Sequence, residues 1–187
     1  MSASSTSDPV GVALLAEFTQ SFRSYKSVAD RALAQLSAAE WLHVPAPGAN
    51  SAAVIVQHVA GNLRSRFTDF LTTDGEKPTR RRDAEFEEPA SAAEVPALRQ
   101  EWEEAWNVLF GLLAELQPTD LLHSVTIRGE AHTVLAAVQR QVAHYASHAG
   151  QLVQLAKIIR GADFQSLSIS RGHSQEFNQQ MAAAFRK

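Results

Sequence analysis

The sequence predicts an all-α protein, a four-helix bundle with a small β-hairpin before the fourth long helix and a short helix at the C-terminus. Two observations support this class. Four stretches carry apolar residues at the three- and four-residue spacing of one helix face. Proline, glycine and capping residues mark the ends of those stretches. Helices with one apolar stripe each can bury it against one another, which favours a bundle.

The first two long helices follow from their caps. The first is predicted from Pro9 to about Leu36, with Asp8 as its cap and proline at the first helical position. After a short capped turn, Ser51 begins the second long helix, which is predicted to end at about Thr72.

A charged loop separates the second and third long helices. Residues 74–90 hold four cations and six anions with almost no apolar residue, which is typical of a loop. A capping box at Ser91 begins the third helix, which ends before Pro118. The segment SVTIRGEAHTV then indicates a hairpin. The fourth long helix is predicted from about 133 to 159, with Gly161 as its C-terminal cap.

Composition limits the classes of function. The chain has 187 residues, 45% of them hydrophobic, enough for one core. A net charge of −3 argues against a nucleic-acid-binding protein. The sequence shows neither a membrane-spanning stretch nor a signal peptide, so we expect a cytoplasmic protein that does not bind membranes. Residues 1–8 are expected to be a disordered lead, and residues 9–187 a single domain.

Three histidines form the candidate site. His144 and His148 are four residues apart and share one face of the fourth helix. His58 lies in the second long helix, and all three follow polar lines beside the apolar stripes. Such lines can meet in a cleft and form a three-imidazole metal site with open positions. Alternatively, they are ordinary boundary residues, since a chain with seven histidines often has such a pair by chance.

The chain has no cysteine, which excludes disulfides, thiolate ligands and a cysteine nucleophile. A thiol reaction would therefore need a thiol brought in as a co-substrate. The remaining histidines lie in turns or at the ends of elements and are predicted to be surface or capping residues: His43, His123, His132 and His173.

The residues also resemble a known family. One histidine in the second helix and HxxxH in the fourth are similar to the DinB-like superfamily of metal-binding four-helix bundles. It includes the YfiT-like proteins, the bacillithiol transferases and the mycothiol-dependent maleylpyruvate isomerases. The segments HVAGNLRSRFTDFLTTDGEKPTRRRDAEFE, HYASHAGQL and LSISRGHSQEFN resemble a bacterial branch composed of domains of unknown function. The resemblance covers nearly the whole chain after about residue 10.

This resemblance implies that His58, His144 and His148 bind a divalent metal ion, usually nickel or zinc, and that the protein is a homodimer. Such an ion can activate water or an incoming thiol. We therefore expect a metal-dependent enzyme with a small-molecule substrate, either a transferase acting with a low-molecular-weight thiol or a hydrolase. The alternative is a non-catalytic, stress-associated metal-binding module.

Residues around the histidines are candidates for supporting roles. Asn62 and Gln151 can orient ligands or bound water. Arg66 and Arg140 can bind a substrate carboxylate. The alternative for each arginine is an ion pair with an acidic residue: Asp69, Asp83 or Glu85.

The charged loop is expected to fold over the cleft and to bring Lys77 or Arg82 toward an anionic substrate. Most of its charge is otherwise typical of a solvated surface, and for the arginines at 80–82 a solvated position is the expectation.

Overall fold

A computed structural model of the chain describes residues 8–184. The protein is mostly helical (67%), with six helices and one small two-stranded antiparallel sheet in the described range. The predicted disordered lead lies outside that range except for Asp8. Between residues 8 and 184, none of the helices has the length and apolar character needed to cross a membrane.

The α-helices are α1 (Pro9–Leu33), α2 (Ala38–Trp41), α3 (Ala52–Phe67), α4 (Val95–Glu115), α5 (Val134–Arg160) and α6 (Ser174–Ala184). The strands are β1 (Ser124–Ile127) and β2 (Glu130–Thr133). A short 3₁₀ turn, Asp83–Phe86, interrupts the charged loop.

The predicted caps are confirmed. The Asp8 carboxylate accepts hydrogen bonds from the first backbone N–H groups of α1, and the Ser51 hydroxyl accepts one from Val54 at the start of α3. Gly161 ends α5 with a φ of +54°. The prediction that the second long helix reaches Thr72 is wrong. Asp69 has a φ of +48°, and this left-handed conformation is incompatible with a continuing helix.

The four long helices contribute residues to one hydrophobic core. α3 packs against α4, and α1 packs against α5. Phe22, Trp106 and Tyr145 from three different helices are fully buried, and their ring centroids lie 5.4–6.4 Å apart. Because Tyr145 points into this cluster, the neighbouring face of α5, with His144 and His148, lies at the edge of the core.

The hairpin and the charged loop are joined. Arg128 and Gly129 have φ values of +57° and +76°, as expected in a type I′ turn. The Asp74 carboxylate accepts hydrogen bonds from the backbone N–H groups of both residues, each at 2.8 Å. Gly75 also donates to the Thr126 carbonyl at 2.8 Å. The beginning of the loop is therefore held against the hairpin.

Candidate metal centre

The three predicted histidines meet between α3 and α5. Each offers one ring nitrogen, and these nitrogens all lie within 4.8 Å of one another. The Nε2 atoms of His144 and His148 are 3.0 Å apart. His58 is buried, and the other two histidines are half-buried. The site is therefore a compact group of imidazoles with limited access to solvent.

The Nδ1 atom of each histidine is within hydrogen-bond distance of a side-chain oxygen atom. His58 pairs with Glu85 at 3.0 Å, and each histidine of α5 pairs with a glutamine three residues away. Gln141 lies 3.2 Å from the Nδ1 atom of His144. An Nδ1–H group that donates to oxygen leaves the Nε2 atom as a free electron-pair donor, the state that binds a metal ion.

This donor set fits a divalent metal ion. Two imidazole nitrogens that bind one ion at about 2.1 Å and at right angles are about 3.0 Å apart, which matches His144 and His148. Burial and the neighbouring His148 and His58 lower the pKa of His144 to about 3. Burial also lowers the pKa of His148. Both rings are therefore neutral at neutral pH, and imidazole nitrogens suit nickel and zinc.

A buried ion pair fixes His58. Glu85 pairs with Arg80 through two hydrogen bonds of 2.7 Å, while its Oε2 atom also bonds His58. Burial acts to raise the pKa of Glu85, but the hydrogen bonds from His58 and Arg80 lower it overall. Glu85 is therefore an ionised carboxylate that orients the His58 imidazole.

The expectation that Arg80 is solvated is wrong. Its side chain is only 4% exposed, because ion pairs with Glu85 and Glu76 compensate for the burial of the guanidinium group. Arg81 and Arg82 are exposed, as expected.

Gly61 makes room for the carboxylate. A Cβ atom on Gly61 would lie 2.7 Å from the Cδ atom of Glu85 and still closer to its Oε1 atom. The next loop residue, Phe86, places its ring centroid 4.8 Å from that of His58. The charged loop therefore packs over His58 at the middle of α3.

The structure places most of the predicted supporting residues at the site. Gln151 bonds the Nδ1 atom of His148 at 2.8 Å. Asn62 is buried, accepts a hydrogen bond from the Tyr145 hydroxyl at 2.9 Å, and lines a cavity beside the histidines. Arg140 and Arg82 line the same cavity.

Arg66 also lines this cavity, and it has an ion-pair partner that the sequence did not suggest. Its guanidinium pairs with Glu76 at 3.1 Å, rather than with one of the three acidic residues considered as alternatives. Burial is the main cause that lowers its pKa.

Lys77 lies elsewhere. Its Nζ atom donates to the Thr73 hydroxyl at 2.6 Å and to the Asp74 carbonyl at 2.7 Å. It lines a separate cavity of about 590 Å³, which also lies between α3 and the charged loop. The structure therefore does not bring Lys77 to the histidines.

The other four histidines are not part of the cluster. Three of them, His43, His123 and His173, are exposed, and His132 is half-buried in the hairpin.

Comparison with protein families gives one result. A family model described as a protein of unknown function (DUF1572) matches residues 10–173. The chain belongs to this family. Within the DUF1572 protein, the matched segment contains all three histidines, the charged loop and the hairpin, and it ends just before α6. Comparisons with curated proteins and with solved structures give no match.

Sequence reasoning missed two residues that hold the histidines of the DUF1572 protein. Gln141 lies three residues before His144, the helical spacing at which Gln151 follows His148, and could have been found by the same argument. Glu85 had a weaker signal, a glycine within the predicted helix three residues after His58.

Proposed function

We propose that this chain is a DinB-like four-helix bundle enzyme that holds Ni²⁺ or Zn²⁺ between α3 and α5. Its reaction joins a low-molecular-weight thiol to an electrophilic small molecule, with hydrolysis as the related reaction in which water is the nucleophile. One observation carries the proposal. Three imidazoles converge, and an oxygen atom holds the Nδ1 atom of each.

The residues of the proposed site have different roles. His58, His144 and His148 would hold the ion, and as neutral donors they leave its positive charge unreduced. When bound, such an ion lowers the pKa of a thiol or water molecule. Glu85 keeps the His58 ring in one orientation. In the transferase reaction a carbon–sulfur bond forms, the bond to the leaving group breaks, and the thiol proton passes to solvent.

The position of the histidines beside the aromatic core favours a catalytic role for the metal ion over a purely structural one. Phe22, Trp106 and Tyr145 join three of the long helices through direct ring contacts. The histidines lie beside this cluster and are not needed to fill it. An ion at their position would therefore add little to the packing of the helices, in contrast to a structural zinc site.

Location and assembly complete the proposal. A cytoplasmic location suits an enzyme that uses a low-molecular-weight thiol, because thiols are kept reduced there. The homodimer rests on the resemblance to DinB-like proteins.

The first test is metal content. Protein purified without added ions is expected to carry nickel or zinc, whereas His148→Ala and His58→Ala are expected to lose it. His43→Ala removes an exposed histidine away from the site and is the matched control. Absence of metal from the wild-type protein, or equal metal content in all variants, would refute the site.

The second test is a reaction screen. The metal-loaded protein is mixed with a chromogenic aryl halide and a series of low-molecular-weight thiols, and separately with a chromogenic ester and no thiol. Halide release that depends on both thiol and metal supports the transferase, and metal-dependent ester cleavage supports the hydrolase. Rates equal to those of His148→Ala in both arms would contradict an enzymatic role for these substrates.

A further inference from the structure

A small cavity beside the histidines is lined by cations. It has a volume of about 190 Å³ and is bordered by His58 and His144. Five arginines contribute to its wall, and no carboxylate among residues 8–184 does so. The arginines come from α3, the charged loop, the hairpin turn and α5: Arg66, Arg80, Arg82, Arg128 and Arg140.

The carboxylates behind this wall do not balance its charge. Glu76 is shared by three guanidinium groups, those of Arg66 at 3.1 Å, Arg128 at 3.2 Å and Arg80 at 3.4 Å. The second carboxylate, Glu85, is shared between Arg80 and a histidine.

Asp74 lies beside the same group, where its carboxylate accepts hydrogen bonds from backbone N–H groups. If Asp74 is counted as a third negative charge, the five arginines still exceed the three carboxylates by two positive charges. Within residues 8–184, Arg82 and Arg140 form no ion pair.

Burial strengthens the repulsion between the cations at the back of the cavity. The side chains of Arg66 and Arg80 are 6% and 4% exposed, so their charges are poorly solvated. Like charges held close together repel each other more strongly in such surroundings. An anion in the cavity would relieve this repulsion, and guanidinium groups bind planar oxyanions through paired hydrogen bonds.

We propose that this cavity binds the anionic group of the substrate, a carboxylate or phosphoryl group, with the reacting part of the substrate directed to the three histidines. The proposal rests on the proposed function and adds the substrate class. A volume of about 190 Å³ corresponds to roughly six water molecules at about 30 Å³ each. This is enough for one such anionic group.

The exposed arginines form the entrance. Arg82, Arg128 and Arg140 are exposed, whereas Arg66 and Arg80 form the buried wall. An anion would therefore meet the exposed guanidinium groups first and then the buried pair. Such an arrangement raises the local concentration of anionic substrates.

The test measures anion binding and metal binding separately. Inorganic phosphate and succinate are titrated calorimetrically into nickel-loaded protein freed of unbound ion, and into metal-free protein. The variants are Arg82→Gln and Arg140→Gln, because neither residue has an ion pair whose loss would disturb the fold. Arg81→Gln is the matched control, since Arg81 is exposed, belongs to the same loop and lines the other cavity.

We expect the wild-type protein to bind at least one probe, and the tighter probe identifies the anionic group. Arg82→Gln and Arg140→Gln should each lower that affinity by about tenfold, with nickel content unchanged, whereas Arg81→Gln should change it less than twofold. Absence of binding, or equal affinity in all three variants, would overturn this inference. Nickel retention in the same samples reports independently on the proposed metal site, so the two failures are distinguishable.

Discussion

Gly61→Ala is expected to weaken metal binding without destabilising the helix. The added methyl group would lie 2.7 Å from the Cδ atom of Glu85, closer than two carbon atoms can approach. The Glu85 carboxylate must therefore shift, and because its Oε2 atom lies 3.0 Å from the Nδ1 atom of His58, we expect the shift to weaken that hydrogen bond. Alanine itself favours a helix over glycine by about 1 kcal/mol, so α3 should remain intact.

The expected loss of metal affinity follows from the hydrogen bond that His58 loses. Removing the partner of a metal-binding histidine lowers metal affinity by about 10- to 100-fold, which corresponds to about 1.4–2.8 kcal/mol. Glu85→Ala should cause a similar loss. The double variant should bind metal no more weakly than Glu85→Ala alone, because both substitutions remove the same interaction.

Competition with a chromophoric chelator measures the affinity, and circular dichroism of the metal-free protein measures the stability. Gly150→Ala is the control, since this glycine is also in a helix, lies two residues from His148, and has open space where its Cβ atom would be. Wild-type affinity in Gly61→Ala, or an equal loss in Gly150→Ala, would refute the reasoning.

Three further predictions concern the fold. Metal removal by a chelator should leave the far-ultraviolet circular dichroism spectrum unchanged, because the aromatic core does not include the site, and loss of helicity would indicate a structural ion instead. Phe22→Ala should lower the free energy of unfolding by about 3–5 kcal/mol in a denaturant titration, because Phe22 is fully buried. A change as small as that of the exposed Val12→Ala would contradict the described core. Backbone N–H groups lower the pKa of Asp74, so its contribution to stability is present above about pH 4 and is lost as the pH falls further. The difference in Tm between wild type and Asp74→Asn should therefore stay constant from about pH 7 to 5 and shrink below about pH 4.

Helix starts could be predicted because the signals are local. Asp8 and Ser51 cap backbone groups two or three residues away, so the sequence alone contains the interaction. The end of α3 could not be predicted in this way. Phe67 and Phe70 continue the apolar spacing, and their rings do pack 5.5 Å apart. Periodicity therefore extends past Asp69, where the backbone turns, and only the three-dimensional path shows the break.

The three histidines could be predicted because each lies on a polar line whose direction is fixed by its own helix. Gln151 follows from the same helical spacing. Glu85 is different, since it lies 27 residues after His58 and reaches it only through the path of the loop. A sequence pattern defines which residues share a helix face, but it does not define where a loop returns.

The arginines at 80–82 show why composition alone misjudged the loop. Arg80 is buried and Arg81 and Arg82 are exposed, although all three are identical in type and adjacent in sequence. Composition averages over such a run and cannot show that its first member pairs with two carboxylates.

Two glycines lie at close contacts that the composition of the chain does not show. A glycine within a helix costs about 1 kcal/mol relative to alanine, and at Gly61 the close neighbour is Glu85, whereas the helical glycines Gly111 and Gly150 have open space. Gly75, at the start of the charged loop, similarly allows close contact with Ile127 and Arg66. One glycine beside a candidate ligand and another at the start of a charged loop together favour a loop packed on the site. These contacts do not predict the buried ion pair of Arg80 and Glu85 over His58, because that pair depends on the path of the loop and not on the space beside a glycine.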